Sequence, residues 1–236
     1  MPVVQPRVEL LAHTPEPLSL VYAAFRQCYH AGFVADMWPR LLAGDIGREK
    51  QAQFVASIME SGHASPVEHV SFTFALGGVS RALTHQLVRH RIASFNQQSQ
   101  RYVKFKDGVD VVTPDTIASD PERKALFDDA IAAAVSAYEK LLDAGVPAED
   151  ARYLLPNAAE SKIVITMNVR ELLHFFKLRC CNRAQWEIRD MAHRMLELAR
   201  PTAPFVFADA GAPCVSGTCP EGKMSCKNPY PRVKRS

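Results

Sequence analysis

The chain has 236 residues, of which 47% are hydrophobic, and this is enough apolar material for a packed core. Lys and Arg number 28 against 25 Asp and Glu, so the formal net charge of +3 is too small to indicate general nucleic-acid binding. No apolar run approaches the roughly 18 to 20 residues of a membrane span, and residues 1–20 lack the apolar core of a signal peptide. We therefore expect a cytoplasmic globular protein that binds neither membranes nor nucleic acids.

The hydrophobic periodicity changes several times along the chain. In chain order it predicts helices and strands as follows: helix 17–42, helix 47–61, strand 70–76, helix 80–88, strands 103–106 and 109–112, helices 121–144 and 148–155, strand 161–167, and helices 169–179 and 183–200. Gly77-Gly78 is expected to break the first strand, and Ser80 is a suitable N-cap for the helix that follows. Asp107-Gly108 is a hairpin signal.

Strands interleaved with helices, together with a hairpin, favour an α+β fold. We expect a central mixed or antiparallel sheet flanked by helices, within a single domain of residues 1–205. Residues 206–236 are rich in Gly, Pro and Cys and are interpreted as an irregular C-terminal tail.

The cysteines do not form a standard metal-binding pattern. Cys214, Cys219 and Cys226 have the spacing C-x4-C-x6-C, which supplies only three ligands, so no bound metal is expected. Four histidines between residues 63 and 90 lack the spacing of known metal motifs. A metalloprotein built on the tail stays an alternative, and it predicts stoichiometric zinc or iron.

A stretch without any Asp or Glu runs from residue 69 to residue 106. It contains Arg89, Arg91 and Arg101 among serine, asparagine and glutamine side chains. Guanidinium groups bind phosphate through paired donors, and amides can read the edge of a heterocycle. The stretch therefore predicts a site for a phosphorylated ligand with a polar ring.

Two other interpretations of this stretch stay open. A solvated basic loop would need no ligand, although such a surface normally mixes both charge signs. An RNA-binding module would use Phe95, Tyr102 and Phe105 to stack on bases, and it predicts salt-sensitive RNA affinity. The chain contains no dinucleotide-binding, P-loop or hydrolase-elbow motif.

Arg89-His90-Arg91, followed after residues 92–98 by Ser99, resembles the signature of flavin-dependent thymidylate synthases. Further segments resemble the same family in the same order along the chain: G-H-A-S-P-V-E-H at 62–69, A-R and L-P within 151–156, N-V-R at 168–170, L-R at 178–179 and A-Q-W-E at 184–187. The resemblance covers roughly residues 15 to 205.

The resemblance implies reductive methylation of dUMP to dTMP. Methylenetetrahydrofolate would donate the one-carbon unit, and NADPH would reduce a bound FAD that supplies the hydride. The resemblance also implies an obligate homotetramer with active sites shared between subunits. That assembly suits five arginines around one dianion, since they would repel one another within a single subunit.

The resemblance further assigns roles to individual residues. The implied FAD ligands are Ser65, Arg89, His90, Arg91, Gln97, Asn168, Val169, Arg170 and His174. The implied dUMP ligands are Gln86, Leu87, Val88, Arg89, Gln97, Gln98, Ser99, Gln100, Arg101 and Arg152. Arg179 corresponds to the catalytic arginine placed against the pyrimidine, where a fixed cation stabilises developing negative charge. Ser99 has no general base at a fixed spacing, so we expect it to bind ligand rather than act as a nucleophile.

Overall fold

The computed structural model describes residues 4–105 and 108–231 of the chain. It is an α+β fold in which an antiparallel sheet of four strands is flanked by helices. The strands are β1 Arg7–His13, β2 Ser71–Ser80, β3 Ala93–Gln97 and β4 Glu160–Asn168. Their order is β1-β2-β4-β3, so β2 and β4 are central. The predicted fold class is confirmed.

The helices follow the predicted pattern in most places. They are α1 Pro17–Tyr29, α2 Trp38–Leu42, α3 Arg48–Glu60, α4 Arg81–Leu87, α5 Asp115–Ala118, α6 Pro121–Asp143, α7 Ala148–Ala151, α8 Val169–Arg179, α9 Trp186–Ala199, α10 Pro204–Phe207 and α11 Pro213–Ser216. The predicted N-cap of α4 is confirmed, because the Ser80 hydroxyl accepts a hydrogen bond of 3.0 Å from the Leu83 N–H. None of the helices among the described residues has the length and apolar character needed to cross a membrane.

The prediction that Gly77-Gly78 breaks the strand predicted at 70–76 is wrong, since the observed strand β2 continues to Ser80. Gly78 has a φ of +63°, and a Cβ there would lie 2.1 Å from the Gln5 carbonyl oxygen. Its N–H donates to the buried Glu160 carboxylate at 2.9 Å. Glycine is therefore required by a close backbone approach inside the strand and does not mark its end.

The predicted hairpin is also wrong. Neither residues 103–105 nor 108–110 form a strand, and Val111 makes only an isolated antiparallel bridge with Ala159. Lys106 and Asp107, which belong to the predicted strand and turn, lie outside the described residues. The alternating valines 109 and 111 instead pack against Ile131 and Val135 of α6. Their apolar pattern reflects burial against a helix.

Three predicted helices are shorter than the patterns suggest. The 17–42 segment is divided into α1 and α2, and α9 begins at Trp186 rather than at residue 183. The 148–155 segment forms α7 and then a 3-10 turn, Arg152–Leu154.

The chain divides into two compact units. Unit 1 comprises Met1–Arg7, Ala75–Arg89 and Phe95–Val164, and unit 2 comprises Val8–Phe74, His90–Ser94 and Ile165–Ser236. The cluster around Val109 and Ile131 is a core of unit 1. Unit 2 has an aromatic core in which Phe207 of α10 packs edge-on against Phe72 and Phe176, with ring centroids 5.5 and 5.7 Å apart. The segment predicted to be an irregular tail thus contains short helices.

Candidate active site

Helix α8 of unit 2 places a group of functional side chains along its length. The side chain of Asn168 accepts a hydrogen bond of 2.9 Å from the Glu171 N–H and so caps the helix. Glu171, Phe175 and Arg179 follow one another at intervals of four residues. They therefore lie on one face of α8, which extends from its acidic first turn to its basic last turn.

His90 lies against this face and connects its two ends. Its Nδ1 is 2.9 Å from the Glu171 carboxylate, and its Nε2 is 3.1 Å from the Arg179 Nε. The imidazole also packs edge-on against Phe175, with ring centroids 4.9 Å apart. His90 is only 4% exposed and Glu171 only 7%, so both polar groups are buried and both are paired.

The partners of His90 determine its protonation state. Since the Arg179 Nε–H is a donor, Nε2 of His90 must accept, and Nδ1 carries the proton that it donates to Glu171. Burial lowers the pKa of His90, the hydrogen bond to Glu171 opposes the shift, and the charge of Arg179 adds to it. Burial also lowers the pKa of Arg179, but a guanidinium stays charged at any working pH. The network therefore holds a fixed cation on a neutral imidazole.

A cleft of about 520 Å³ opens beside the start of α8. It is lined by Glu68, Ile92, Asn168, Arg170, Glu171 and His174. Three of the predicted FAD ligands, Asn168, Arg170 and His174, are thus brought together. The volume lies within the range of small-molecule sites, and Ile92, which is 67% exposed, provides an apolar wall. Arg170 forms an ion pair with Glu68 at this cleft.

The remaining predicted FAD ligands of unit 2 have different surroundings. The exposed Ser65 hydroxyl lies 3.1 Å from Nε2 of His63. Arg91 is exposed. Val169 is fully buried and its N–H donates to the Val70 carbonyl at 2.8 Å, so neither its side chain nor its N–H is available to a ligand.

Unit 1 brings together a group of arginines around α7. The Arg101 guanidinium pairs with the Glu149 carboxylate at 2.8 Å, and the Arg152 Nε donates to the Glu149 carbonyl at 3.0 Å. Burial lowers the pKa of Arg81, and the positive charge of Arg152 lowers it further, so the two cations are near enough to repel each other. Such a concentration of like charge is typical of an anion site.

The amide-rich segment after the Arg-His-Arg motif is held by unit 1. The Gln97 side-chain amide donates to Thr84 at 3.1 Å and to Ser161 at 2.7 Å. The Ser99 hydroxyl accepts from the Arg101 N–H at 3.2 Å, which leaves its own O–H to donate elsewhere. No described basic side chain lies at hydrogen-bonding distance from Ser99 as a general base would.

Other predicted dUMP ligands of unit 1 are divided between surface and interior. Val88 and Arg89 are exposed, whereas Gln86, Gln98 and Gln100 are partly buried. The Leu87 side chain is fully buried, so only its backbone could contact a ligand. All ten predicted dUMP ligands belong to unit 1. The predicted FAD ligands, apart from Arg89 and Gln97, belong to unit 2, as does Arg179.

Three further residues of the site were not predicted. Glu171 holds His90, Glu149 holds Arg101, and Arg81 lies beside Arg152. Arg81 lies in the acid-free stretch and could have been found there. Glu171 stands three residues after the cap Asn168, the place of the acidic member of a capping box. Nothing in the sequence signals Glu149.

In the described part of the chain, His90, Glu171 and His174 form the one group of three or more potential metal ligands whose ligand atoms all lie within 4.8 Å of one another. Both ring nitrogens of His90 already have protein partners, and the Glu171 carboxylate accepts from one of them. His90 and Glu171 are therefore engaged in hydrogen bonds rather than free to bind a metal, and the exposed His174 contacts His90 only through its ring.

The fold and the site together define a class: an α+β protein with a guanidinium-rich site for anionic ligands. The fold is similar to that in a crystal structure of a UMP/dUMP methylase, PolB, from Streptomyces cacaoi bound with 5-Br dUMP. The TM-score is 0.72 at 26% sequence identity, and the match covers 87% of this chain and 94% of that chain.

Sequence comparison identifies the family. Residues 9–205 match the family described as thymidylate synthase complementing protein. A flavin-dependent thymidylate synthase from Nitratidesulfovibrio vulgaris is 63% identical over 242 residues, with 98% of each chain covered. One from Geobacter sulfurreducens is 52% identical over 221 residues, with 93% of each chain covered. The chain belongs to the flavin-dependent thymidylate synthase family, which confirms the resemblance seen in its motifs.

Proposed function

We propose that this protein converts dUMP to dTMP by reductive methylation. FAD is the cofactor that the family implies, with methylenetetrahydrofolate as one-carbon donor and NADPH as reductant. Bound FAD would supply the hydride chemistry, and the protein's own residues would supply position and charge. The observation that best supports this proposal is Arg179, a fixed cation held by a buried neutral His90.

The cleft beside α8 is the proposed FAD site. Arg170 and His174 line it with Asn168, and Arg91 and Ser65 belong to the same unit. The Arg170–Glu68 pair is exposed on both sides, so the guanidinium can exchange its carboxylate partner for a cofactor phosphate at small cost. Ile92 offers apolar contact to a ring.

The arginines of unit 1 are the proposed dUMP phosphate ligands. Arg101 and Arg152 are both held by Glu149, one through its carboxylate and the other through its carbonyl. We add Arg81 to this group, since the positive charge of Arg152 lowers its pKa. A phosphate dianion would relieve the repulsion between these cations and would replace Glu149 on Arg101.

Arg179 is the proposed catalytic group. A guanidinium cannot serve as a proton carrier near neutral pH, but it stabilises negative charge that develops on a pyrimidine ring. An uncharged acceptor leaves the positive charge of the guanidinium in place, whereas a carboxylate in direct contact would neutralise it. His90 is such an acceptor. Its ring lies between Arg179 and Glu171, so at His90 the guanidinium contacts an imidazole nitrogen rather than the carboxylate. Ser99 is proposed as a dUMP ligand.

Assembly as a homotetramer with shared active sites, and a cytoplasmic location, stay predictions of the family resemblance and the sequence. The first is tested by the mass of the purified protein in solution. A dimer or monomer that keeps full activity would contradict active sites shared between the subunits of a tetramer.

The experiment that tests the function is tritium release from C5-labelled dUMP by the purified protein with FAD, NADPH and methylenetetrahydrofolate. We expect release of tritium together with dTMP formation, and neither without FAD. A protein that binds FAD but releases no tritium in the presence of all substrates would contradict the proposal.

A further inference from the structure

Four cysteines from two separate segments of the chain line one small cavity of unit 2. Cys181 follows the end of α8, and Cys214, Cys219 and Cys226 come from the C-terminal segment. The volume of the cavity is about 20 Å³, which admits one water-sized ion and no organic cofactor. The C-x4-C-x6-C segment alone has only three cysteine ligands, and the fold places Cys181 beside them as a fourth.

Backbone donors already point at two of these sulfurs. The Asn228 N–H lies 3.4 Å from Sγ of Cys226, and the Tyr230 N–H lies 3.4 Å from Sγ of Cys214. The first contact joins residues two apart across Lys227, whose φ of +57° is left-handed. Sγ of Cys226 also lies 3.4 Å from the Asn228 carbonyl oxygen, to which the thiol donates. Hydrogen bonds from the protein to a metal ligand orient that ligand towards the metal.

Other contacts hold the two segments together at the rim of the cavity. The Asn182 side chain donates to the Asn228 carbonyl at 2.7 Å, and Arg183 pairs with Glu221. The segment after α8 and the C-terminal segment are thus fixed to each other by polar contacts. Each segment contributes thiols to the lining of this cavity, one from the first and three from the second.

We propose that Cys181, Cys214, Cys219 and Cys226 bind one Zn²⁺ ion as a structural tetrathiolate site. Zinc prefers four thiolates in tetrahedral geometry and needs no oxidant, since each thiol loses one proton to solvent as the metal binds. In the structure no three of these described sulfurs lie within 4.8 Å of one another. Zn–S bonds of about 2.3 Å would bring them to about 3.8 Å, so zinc draws the C-terminal segment inwards.

The site would fasten the C-terminal segment beside the end of α8. Cys181 lies two residues after Arg179, so the metal would also limit movement of the last turn of α8. This proposal is independent of the proposed activity, because it rests only on the four thiols and their donors.

The test is the zinc content of the full chain after reduction, incubation with ZnCl₂ and gel filtration, measured by mass spectrometry of the metal. Wild type and the control Cys28→Ser, which changes an exposed cysteine outside the cavity, are expected to keep one zinc per chain. Cys181→Ser and Cys219→Ser are expected to lower zinc affinity at least about tenfold. Circular dichroism checks that each variant is folded, and cleavage near residues 214–226 by a protease should slow when zinc is added.

A second measurement identifies the ligands directly. Replacing zinc by Co²⁺ should give the visible bands and sulfur charge-transfer absorption of tetrahedral cobalt thiolate in wild type and in Cys28→Ser only. Absence of stoichiometric zinc in the reduced wild type would overturn the proposal. So would stoichiometric iron, disulfides among the four cysteines, or equal zinc affinity in Cys181→Ser and Cys28→Ser.

Discussion

The two compact units hold their arginines in opposite ways. In unit 2, Arg179 is bonded to a buried neutral imidazole that is itself bonded to a buried carboxylate. In unit 1, Arg101 is paired directly with Glu149, and about half of each side chain is exposed, at 52% and 47%. The first arrangement fixes a charge in place, and the second holds a charge that can change partner.

This difference agrees with the two tasks proposed for the units. An exposed ion pair contributes about 0 to 1 kcal/mol, so a phosphate can displace Glu149 at little cost. Removing one member of a buried hydrogen-bonded network costs several times more. A catalytic cation benefits from the fixed arrangement because it pays no reorganisation when charge develops on the substrate. An arginine that binds a phosphate needs the arrangement in which its carboxylate partner can be displaced.

The largest expected effect is that of Arg179→Ala. Loss of the fixed cation should lower kcat by about 10² to 10³-fold, as removal of one charge-stabilising donor does in other enzymes. FAD binding should be nearly unchanged. Tritium release and flavin absorbance measured on the same sample check both statements, and activity above a tenth of wild type would refute the catalytic assignment.

The next effect concerns His90, the residue that positions Arg179. His90→Ala should lower kcat by about 10 to 100-fold with little change in the KM for dUMP, because Arg179 stays present but loses the acceptor that His90 provides. If His90 acts through Arg179, the double variant should be no worse than Arg179→Ala alone. Additive losses in this double-mutant cycle would show an independent role.

The smallest expected effect is on the pH dependence of the free energy of unfolding. The pKa of His90 lies below the ordinary value of 6.5, so the unfolded chain binds a proton more readily than the folded one. The free energy of unfolding should therefore fall as the pH drops below 6.5, by at most about 1.4 kcal/mol per pH unit from this group. His193, whose pKa burial also lowers, acts in the same direction. Urea unfolding at several pH values should give a shallower slope for His90→Gln, and an unchanged slope would contradict this account.

Helix α8 was predictable from local signals alone. Asn168 is a good cap, the apolar spacing continues to the end, and a basic last turn suits the helix dipole. Strand β3 was missed because it lies at the edge of the sheet, and its residues alternate between partly buried and exposed without a hydrophobic pattern. Hydrophobic periodicity reveals a strand only where one of its faces is buried.

The residues of the proposed site were indicated by motifs, but their partners were not. The resemblance pointed to His90, Arg101 and Arg179 by motif, whereas Glu171 lies 81 residues from His90 and Glu149 lies 48 residues from Arg101. Such pairs form only when the chain is folded. The same reason explains why Cys181 could not be joined to the C-terminal cysteines from spacing alone.

The central claim is that unit 2 holds FAD while the arginines of unit 1 hold dUMP, and paired binding titrations test it most directly. FAD and dUMP affinities are measured for Arg170→Ala, Arg101→Ala and the control Arg48→Ala, which removes another exposed arginine–glutamate pair. We expect Arg170→Ala to weaken FAD about tenfold, Arg101→Ala to weaken dUMP about tenfold, and Arg48→Ala to change neither. The claim is contradicted if Arg101→Ala weakens FAD more than dUMP, or if Arg170→Ala weakens dUMP more than FAD.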